Sequence, residues 1–380
     1  MTDVEPNAKQ RLLRTVLDRF AIYGDLESAV PFGKGHINDT FVSTWNQGGT
    51  RLRYTHQRIN ERVFTRPGEV MENILRVTNH IRGKLEGVGD RSRRVLTVVP
   101  AADGKPFVRD AEGGWWRSYC FIENARGGDL ASSPEEAALL GKSVGRFQNQ
   151  LADIGGERLF ETIPGFHNME TRYTRFHEAL QKNGSGRAGG CRGEIDFLLE
   201  NEKRGGLLIR SLWEGTIPER ICHDDTKMNN ILLDETTGEA LCVIDLDTVM
   251  PGTSLFDLGD LIRSVATRVG EDEQDLSGAG FDPALFRALV EGYFSEARSF
   301  LTPAEYALVC ESGRSMTQIM ALRFLTDYLE GDHYYHIDRP LHNLDRCRSQ
   351  IALIRSMDSQ WEEAEKTVRE LAPAVTSENG

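Results

Sequence analysis

From Ile221 the chain reads Ile-Cys-His-Asp-Asp-Thr-Lys-Met-Asn-Asn-Ile-Leu-Leu-Asp, and after a polar stretch containing Gly238 it continues as Leu241-Cys-Val-Ile-Asp-Leu-Asp247. The apolar runs 231–233 and 241–244 flank a turn of Glu235, Thr236, Thr237 and Gly238, the pattern of a hairpin. Closing that hairpin sets Asn230, at the start of its first strand, near Asp245, at the end of its second. Asp225 precedes Asn230 by five residues. One end of the hairpin thus gathers two carboxylates and an amide oxygen. Such hard oxygen donors suit Mg²⁺, which keeps several waters and completes its shell with substrate phosphates. A separate carboxylate near the metal can accept a proton from an attacking hydroxyl. Neutralised phosphates and an oriented nucleophile are what phosphoryl transfer requires. Taken singly, Asp225 and Asn230 read as turn formers and Asp245 as a strand cap. Their convergence is what points to chemistry.

The interval from Asp225 to Asn230 equals that of the kinase catalytic loop. His223-x-Asp225-x-x-x-x-Asn230, with Asp245 following, resembles the aminoglycoside phosphotransferase and choline kinase superfamily. The strings Gly33-Lys-Gly-His-Ile-Asn-Asp-Thr40, Gln57-Arg-Ile-Asn60, Met71-Glu-Asn-Ile74 and Val243-Ile-Asp-Leu-Asp-Thr-Val-Met-Pro-Gly252 resemble its N-acetylhexosamine 1-kinase branch. That branch phosphorylates the anomeric hydroxyl of N-acetylglucosamine or N-acetylgalactosamine with ATP and magnesium.

The resemblance implies an α+β, bilobal protein-kinase-like fold. Residues 1–122 would form a small mixed α/β nucleotide-binding lobe, and residues 123–380 a larger, mainly helical catalytic and acceptor-binding lobe. It implies Asp225 as catalytic base in contact with the acceptor, Asn230 and Asp245 as Mg²⁺ ligands, Asp247 as an extra ligand, and His223 as a loop brace. Nucleotide contacts fall on Gly33, Gly35, His36, Asn38 and Thr40 over the phosphates, and on Ile122 and Glu123 along the adenine. Arg58 stands where most kinases place a phosphate-contacting lysine, with Glu72 as its ion-pair partner. Acceptor contacts fall on His36, Asp39, Arg323, Asp327, Tyr328 and Tyr334. The partners are ATP and a sugar. Two rival readings stand beside this one: the same fold acting on an aminoglycoside, choline, homoserine or methylthioribose, and a non-catalytic nucleotide- or sugar-binding sensor. Asp257 and Asp260, read as preceding an apolar helix at 261–265, suggest caps or loop braces. His333 and His336 lack further ligands at zinc spacing.

Local patterns say what must hold these residues. Leu12, Leu13, Val16, Leu17 and Phe20 predict a helix over 7–20. Strands at 40–45 and 52–59 flank Gln47-Gly48-Gly49. After Pro67, Val70, Met71, Ile74, Leu75, Val77 and Ile81 share one helical face, and strands at 95–99 and 117–122 follow around Gly113-Gly114. Ser133-Pro134-Glu135-Glu136 opens a helix over 134–152 with a cap, a proline in the first turn and acids at the positive end of the dipole. Residues 283–300, 303–330 and 338–371 are largely helical in pattern, and the Gly- and Arg-rich 183–193 predicts a mobile loop.

The 380 residues include 45 basic and 58 acidic side chains, a net charge of −13. That balance disfavours a general nucleic-acid or anionic-membrane binder but leaves room for a small phosphate ligand. The six cysteines form no Cys-x-x-Cys pair, and several sit in apolar runs, as buried thiols of a reducing compartment do. With no apolar run of membrane length and no secretion signal recognisable, the expectation is a cytoplasmic protein with no nucleic-acid or membrane partner. The oligomeric state is left open.

Overall fold

The computed structural model describes residues 8–33, 37–128 and 130–373. The chain divides into two units, Met1–Asn124 and Ala125–Gly380. The first unit runs α1 (Ala8–Leu17), β1 (Asp25–Pro31), β2 (Asp39–Gln47), β3 (Thr50–Arg58), α2 (Pro67–Lys84), α3 (Arg91–Arg94), β4 (Val98–Val99), β5 (Val108–Arg109) and β6 (Trp115–Cys120). Its antiparallel sheet has the order β1-β2-β3-β6-β4, with β5 also on β6.

Gly48 and Gly49 both take positive φ, 63° and 95°, so β2 reverses into β3 within two residues and Gln47 faces Thr50. The helical period read at the N-terminus is used as expected: Leu13, Val16 and Leu17 of α1 pack with Phe20, Phe41, Trp45 and Trp116. The second helix buries Val70, Met71, Ile74, Val77 and Ile81. The strand expected at 95–99 shrinks to Val98–Val99, with Arg91–Arg94 coiled into a helical turn before it. Across Gly113-Gly114 the sheet gains β5, which the sequence pattern did not mark.

The second unit runs β7 (Ala125–Arg126), α4 (Pro134–Leu151), α5 (Met169–Lys182), α6 (Arg192–Gly205), α7 (Leu207–Trp213), β8 (Arg220–Cys222), β9 (Ile231–Asp234), β10 (Ala240–Val243), β11 (Met250–Gly252), α8 (Ser254–Val265), α9 (Pro283–Ala297), α10 (Pro303–Ala307), α11 (Val309–Glu330), α12 (His342–Ser359) and α13 (Trp361–Leu371). Strands pair as β10-β9-β7 and as β11-β8. One core joins the β9–β10 hairpin to α4, α8 and α9 through Leu140, Ile231, Leu233, Leu261 and Leu289. A second joins α5, α6, α11 and α12 through Phe176, Leu198, Phe324 and Cys347.

Ser133 caps α4 by accepting from Glu136 N, as its sequence implies. The backbones of α4 and α9 touch: a Cβ at Gly141 would lie 2.0 Å from Leu289 O, and one at Gly292 2.0 Å from Ala138 O. Glycine alone permits that approach, which brings Tyr293 Oη to donate to Gln148 Oε1. The segment 183–193 departs from the mobile loop expected of it. Ser185 Oγ donates to Leu329 O at 2.7 Å and Arg187 pairs with Asp332, so it is anchored at the end of α11. Asp257 and Asp260 lie inside α8 rather than before it. Among the described residues no helix is long and apolar enough to cross a membrane.

Candidate active site

The expected hairpin forms. Ile231 faces Val243 and Leu233 faces Ala240, and Asn230 O accepts from Ile244 N at 2.9 Å. Asn230 and Asp245 therefore share one end of the hairpin. The flanks of the segment close on each other as well, because β8 pairs with β11 with Cys222 opposite Met250.

His223 is fully buried and links these parts. Its Nδ1 accepts from Asp225 N at 3.2 Å, which leaves Nε2 to donate to Ile244 O at 2.8 Å. Its carbonyl accepts from Thr248 Oγ1 at 2.7 Å. With both ring nitrogens occupied, the imidazole is a strut between loop and hairpin. Asp257 holds the loop from below the chain: its carboxylate accepts from His223 N at 3.0 Å, Asp224 N at 2.7 Å and Gln148 Nε2 at 2.8 Å. The glycine-mediated contact of α4 and α9, which positions Gln148, thus supports the loop that carries Asp225.

Asp225 is partly exposed, with its side chain 28% accessible. Its Oδ2 accepts from Asn230 Nδ2 and Lys227 Nζ, both at 3.0 Å, and Asn230 Nδ2 also donates to Asp225 O at 2.8 Å. Among the described residues none bonds Asp225 Oδ1, so one oxygen is anchored and the other is open. With the amide nitrogen of Asn230 engaged, its Oδ1 is likewise without a protein hydrogen bond. An uncommitted amide oxygen beside the half-buried Asp245, which adopts a left-handed φ of 62°, fits a hard divalent cation. Asp247 is almost wholly buried in the turn that follows.

Burial would raise the Asp225 carboxyl, but the Lys227 ammonium beside it prevails and holds it below the usual carboxylate range. Asp225, and after it Asp245, hold Lys227 protonated well above the ordinary lysine value. Asp224 is different. Burial, then the charges of Asp257, Asp260 and Asp225, push its carboxyl well up. Asp257 has three donors to stabilise its charge, whereas Asp224 Oδ1 has no partner, so Asp224 is the member that holds the proton.

A small cavity, open to solvent on one side, lies in the second unit between α5, the C-terminal half of α11 and the loop after it. Arg172, Arg323, Tyr334 and Tyr335 line it. The Arg323 guanidinium lies 4.9 Å from the centre of the Phe166 ring, 5.5 Å from Tyr335 and 5.8 Å from Tyr334. Arg172 donates twice to Phe166 O, at 3.2 and 2.8 Å. The next residue, His167, bonds Asp224 O through Nε2 at 2.8 Å, so Phe166-His167 connects the cavity to the loop that carries Asp225. Asp225 is near enough for its charge to act on Arg323.

Of the expected acceptor residues, Arg323 and Tyr334 line this cavity. Asp327 reaches its wall, but its oxygens are taken. Oδ1 accepts from His333 N at 2.9 Å and Tyr334 N at 2.8 Å, and Oδ2 from Tyr335 N at 3.0 Å and Asn343 Nδ2 at 2.9 Å. Four donors fill a carboxylate, so Asp327 shapes the loop instead of presenting itself to an acceptor. Tyr328 points elsewhere, into the core and under Arg187, whose guanidinium is 4.8 Å from its ring.

In the first unit, Gly35 and His36 lie outside the described residues. Gly33 has a positive φ of 80°. Asn38 Oδ1 accepts from Asn60 N at 2.9 Å, and Thr40 Oγ1 accepts from Gln57 Nε2 at 3.2 Å. Asp39 is exposed at the start of β2. Ile122 is buried, and Glu123 accepts from Arg53 Nε at 2.9 Å while its carbonyl accepts from Arg93 Nε at 3.1 Å. The expected Arg58–Glu72 pair is replaced. Arg58 pairs with Asp110 at 3.5 Å and Glu112 at 3.2 Å, and Glu72 is an exposed charge on α2. Gly114 makes this possible, since a Cβ there would come within 2.8 Å of both Arg58 Nε and Asp110 Oδ2.

Sequence reasoning passed over Lys227 and Arg172, while Tyr335 belongs to the aromatic run Asp332–His336 that, with Arg323, suggests a sugar site. Lys227 carried a usable signal: a cation two residues from a candidate base on one tight loop. Arg172 carried none, because only the tertiary fold brings it to Arg323.

A family model described as "Phosphotransferase enzyme family" matches residues 28–301. Among solved structures, the chain is similar to an aminoglycoside phosphotransferase from Alicyclobacillus acidocaldarius, with TM-score 0.58, 13% identity and 98% of each chain covered. It is similar to a spectinomycin phosphotransferase in complex with ADP and spectinomycin, with TM-score 0.53, 11% identity, and 97% of this chain and 99% of that chain covered. A choline kinase from Cryptosporidium parvum aligns with TM-score 0.53 and 14% identity over 90% of this chain and 92% of that one. At these identities the likeness is one of fold: a mixed α/β unit on an antiparallel sheet and a helical unit, as in kinase-like proteins.

Proposed function

The chain belongs to the phosphotransferase enzyme family, and from that premise we propose that it transfers the γ-phosphoryl group of ATP to a sugar hydroxyl, first of all the anomeric hydroxyl of N-acetylglucosamine, N-acetylgalactosamine or a related hexose. The observation that carries the reading is the division of labour at one hairpin end. Asn230 uses its amide nitrogen to fix Asp225 and keeps its oxygen uncommitted beside Asp245.

In this reading the open oxygen of Asp225 orients the acceptor hydroxyl and receives its proton. The Lys227 ammonium keeps that carboxylate ionised and offers a positive charge to the transferring group. Asn230 and Asp245 hold Mg²⁺, which when bound neutralises charge on the ATP phosphates. Fixed positions and fixed charges then supply most of the acceleration. In the first unit, Gly33, Asn38, Thr40, Arg58, Ile122 and Glu123 are assigned to the nucleotide, and the ADP named for the spectinomycin phosphotransferase supports a nucleotide donor. The branch-level strings and Arg323 support a sugar.

The test is an acceptor panel with γ-labelled ATP followed by phosphorus NMR of the product. Label at the anomeric position supports the reading. Label on a 6-hydroxyl, or on no sugar, ends it. Spectinomycin and choline, which name the similar proteins, are the comparison acceptors.

A further inference from the structure

Arg172 and Arg323 face the same cavity, and neither has a carboxylate within ion-pair distance among the described residues. Their contacts are neutral: Phe166 O for Arg172, and the rings of Phe166, Tyr334 and Tyr335 for Arg323. The acids nearby are engaged elsewhere. Asp327 is filled by four donors, and Glu330 pairs with Arg175 at the cavity's outer edge. Burial and the charge of Arg323 lower Arg172 to about 10, whereas at Arg323 burial is outweighed by the Tyr335 and Tyr334 side chains and the charge of Asp225, which hold the guanidinium above its ordinary value, so Arg172 is the less compensated of the two. Beside them the Tyr335 hydroxyl is buried with no hydrogen-bond partner, and burial pushes it up to about 12.

Two guanidiniums and a hydroxyl, all donors, with no carboxylate in ion-pair contact among the described residues make an incomplete constellation, and the charges of Asp225 and Asp327 reach it only from a distance. Dehydrated cations are stable when paired, and an uncompensated pair is costly. From Arg172 and Arg323 lining one pocket with no carboxylate in ion-pair contact, and from the buried, unpartnered Tyr335 hydroxyl in its wall, we infer that the acceptor carries an anionic oxygen group, a carboxylate or a phosphate, seated on the two arginines. The inference rests on the phosphoryl-transfer reading for the reacting hydroxyl and narrows its acceptor from a neutral N-acetylhexosamine to a related hexose that carries an anionic group. Arginine presents planar paired donors that match either group. It also sets this cavity against cationic acceptors, which two unpaired guanidiniums would repel.

The probes are matched pairs with a free anomeric hydroxyl. D-glucuronate is compared with D-glucose, D-galacturonate with D-galactose, and N-acetylglucosamine 6-phosphate with N-acetylglucosamine. Binding is measured calorimetrically with magnesium and a non-hydrolysable ATP analogue, and turnover with γ-labelled ATP. The anionic member of at least one pair is expected to bind about 10–100-fold more tightly than its neutral partner. The uronate pairs and the phosphate pair separate the two sources of charge. Arg172→Gln and Arg323→Gln are each expected to cut that preference about tenfold, while Arg→Lys at either position keeps part of it. Melting curves of the variants with the ATP analogue show whether they fold and bind nucleotide.

Equal or tighter binding of every neutral member overturns the inference. So does an arginine variant that weakens the ATP analogue while leaving the charge preference intact. Charge-selective binding without label transfer would instead sink the phosphoryl-transfer reading and leave the charge assignment standing.

Discussion

The catalytic loop and the arginine cavity lie a few side chains apart and handle charge in opposite ways. In the loop, the working carboxylate already has its cation. Asp225 touches Lys227, and Asp257 is satisfied by three donors, two from the loop it supports and one from Gln148 of α4. In the cavity, Arg172 and Arg323 share a space with aromatic rings and a carbonyl, and the one acid on its wall, Asp327, is turned to other donors. A group that must hold a position before substrate arrives needs its partners built in. A group that recognises a charged ligand does so best when that ligand supplies the missing partner, since the cost of the unpaired state is what the ligand relieves. On the proposed reading, completeness marks the machinery and incompleteness the recognition surface.

The sharpest way to break this contrast is Asp225→Asn. The loop keeps its hydrogen-bonded shape because an amide can still bond Asn230, but the proton acceptor is gone. Turnover is expected to fall toward the upper part of the about 10²–10⁴-fold range for general-base loss, with binding of the ATP analogue nearly unchanged in calorimetry. Full turnover would remove Asp225 from the chemistry. Lys227→Met tests the pairing itself, with kcat expected to fall about 100-fold. Its pH signature is more specific. Asp225 must be ionised to take a proton, Lys227 is the strongest influence lowering its pKa, and burial pushes the other way. Without the ammonium, burial prevails, Asp225 protonates at higher pH, and the acid limb of kcat/KM moves up the pH scale. An unmoved acid limb would show that Lys227 does not set the Asp225 charge.

The same contrast explains what the sequence revealed. The hairpin was legible because both strands, the turn and all three oxygen donors lie within one short stretch, where alternation and turn chemistry act locally. Amphipathic periods placed α1 and α2 for the same reason. Side-chain direction was not legible. Asp327 and Tyr328 are neighbours on α11, so their side chains leave the helix roughly 100° apart and cannot both face one cavity. Asp327 meets the loop after the helix, and Tyr328 meets the core. Arg58 lies nearer in sequence to Glu72, yet the sheet brings it to Asp110 and Glu112, with glycine at 114 leaving the room. The cavity joins residues from about 166 to 335, and no local period encodes that meeting.

Asp327→Asn probes the scaffold on the cavity side. An amide nitrogen would replace one acceptor and face backbone N–H groups, so one or two donors lose their partner. The expected cost is about 1–3 kcal/mol in denaturant unfolding. Because Tyr334 and Tyr335 hang on those bonds, the acceptor KM is expected to rise about tenfold more than the KM for ATP. Equal effects on both substrates would mean that Asp327 serves only stability.

The smallest effect belongs to the one carboxyl in the loop that breaks its rule. Asp224 is buried, faces other acids and has an oxygen with no partner. Its pKa is raised well above the unfolded value, so the folded chain binds this proton more tightly than the unfolded chain does. The stability it contributes is complete below the unfolded carboxylate range, near pH 4, and is lost as pH rises toward the raised folded value. Asp224→Asn fixes the neutral state at every pH, and asparagine accepts the left-handed φ of 65° at this position. The variant is therefore expected to match the parent in acid and to exceed it at pH 8 by on the order of 1 kcal/mol, read as a difference in melting temperature that widens with pH. A difference that stays constant from pH 5 to 8 would show that Asp224 is charged throughout. The loop would then hold an uncompensated charge just as the cavity does, and the distinction between the two regions would fail.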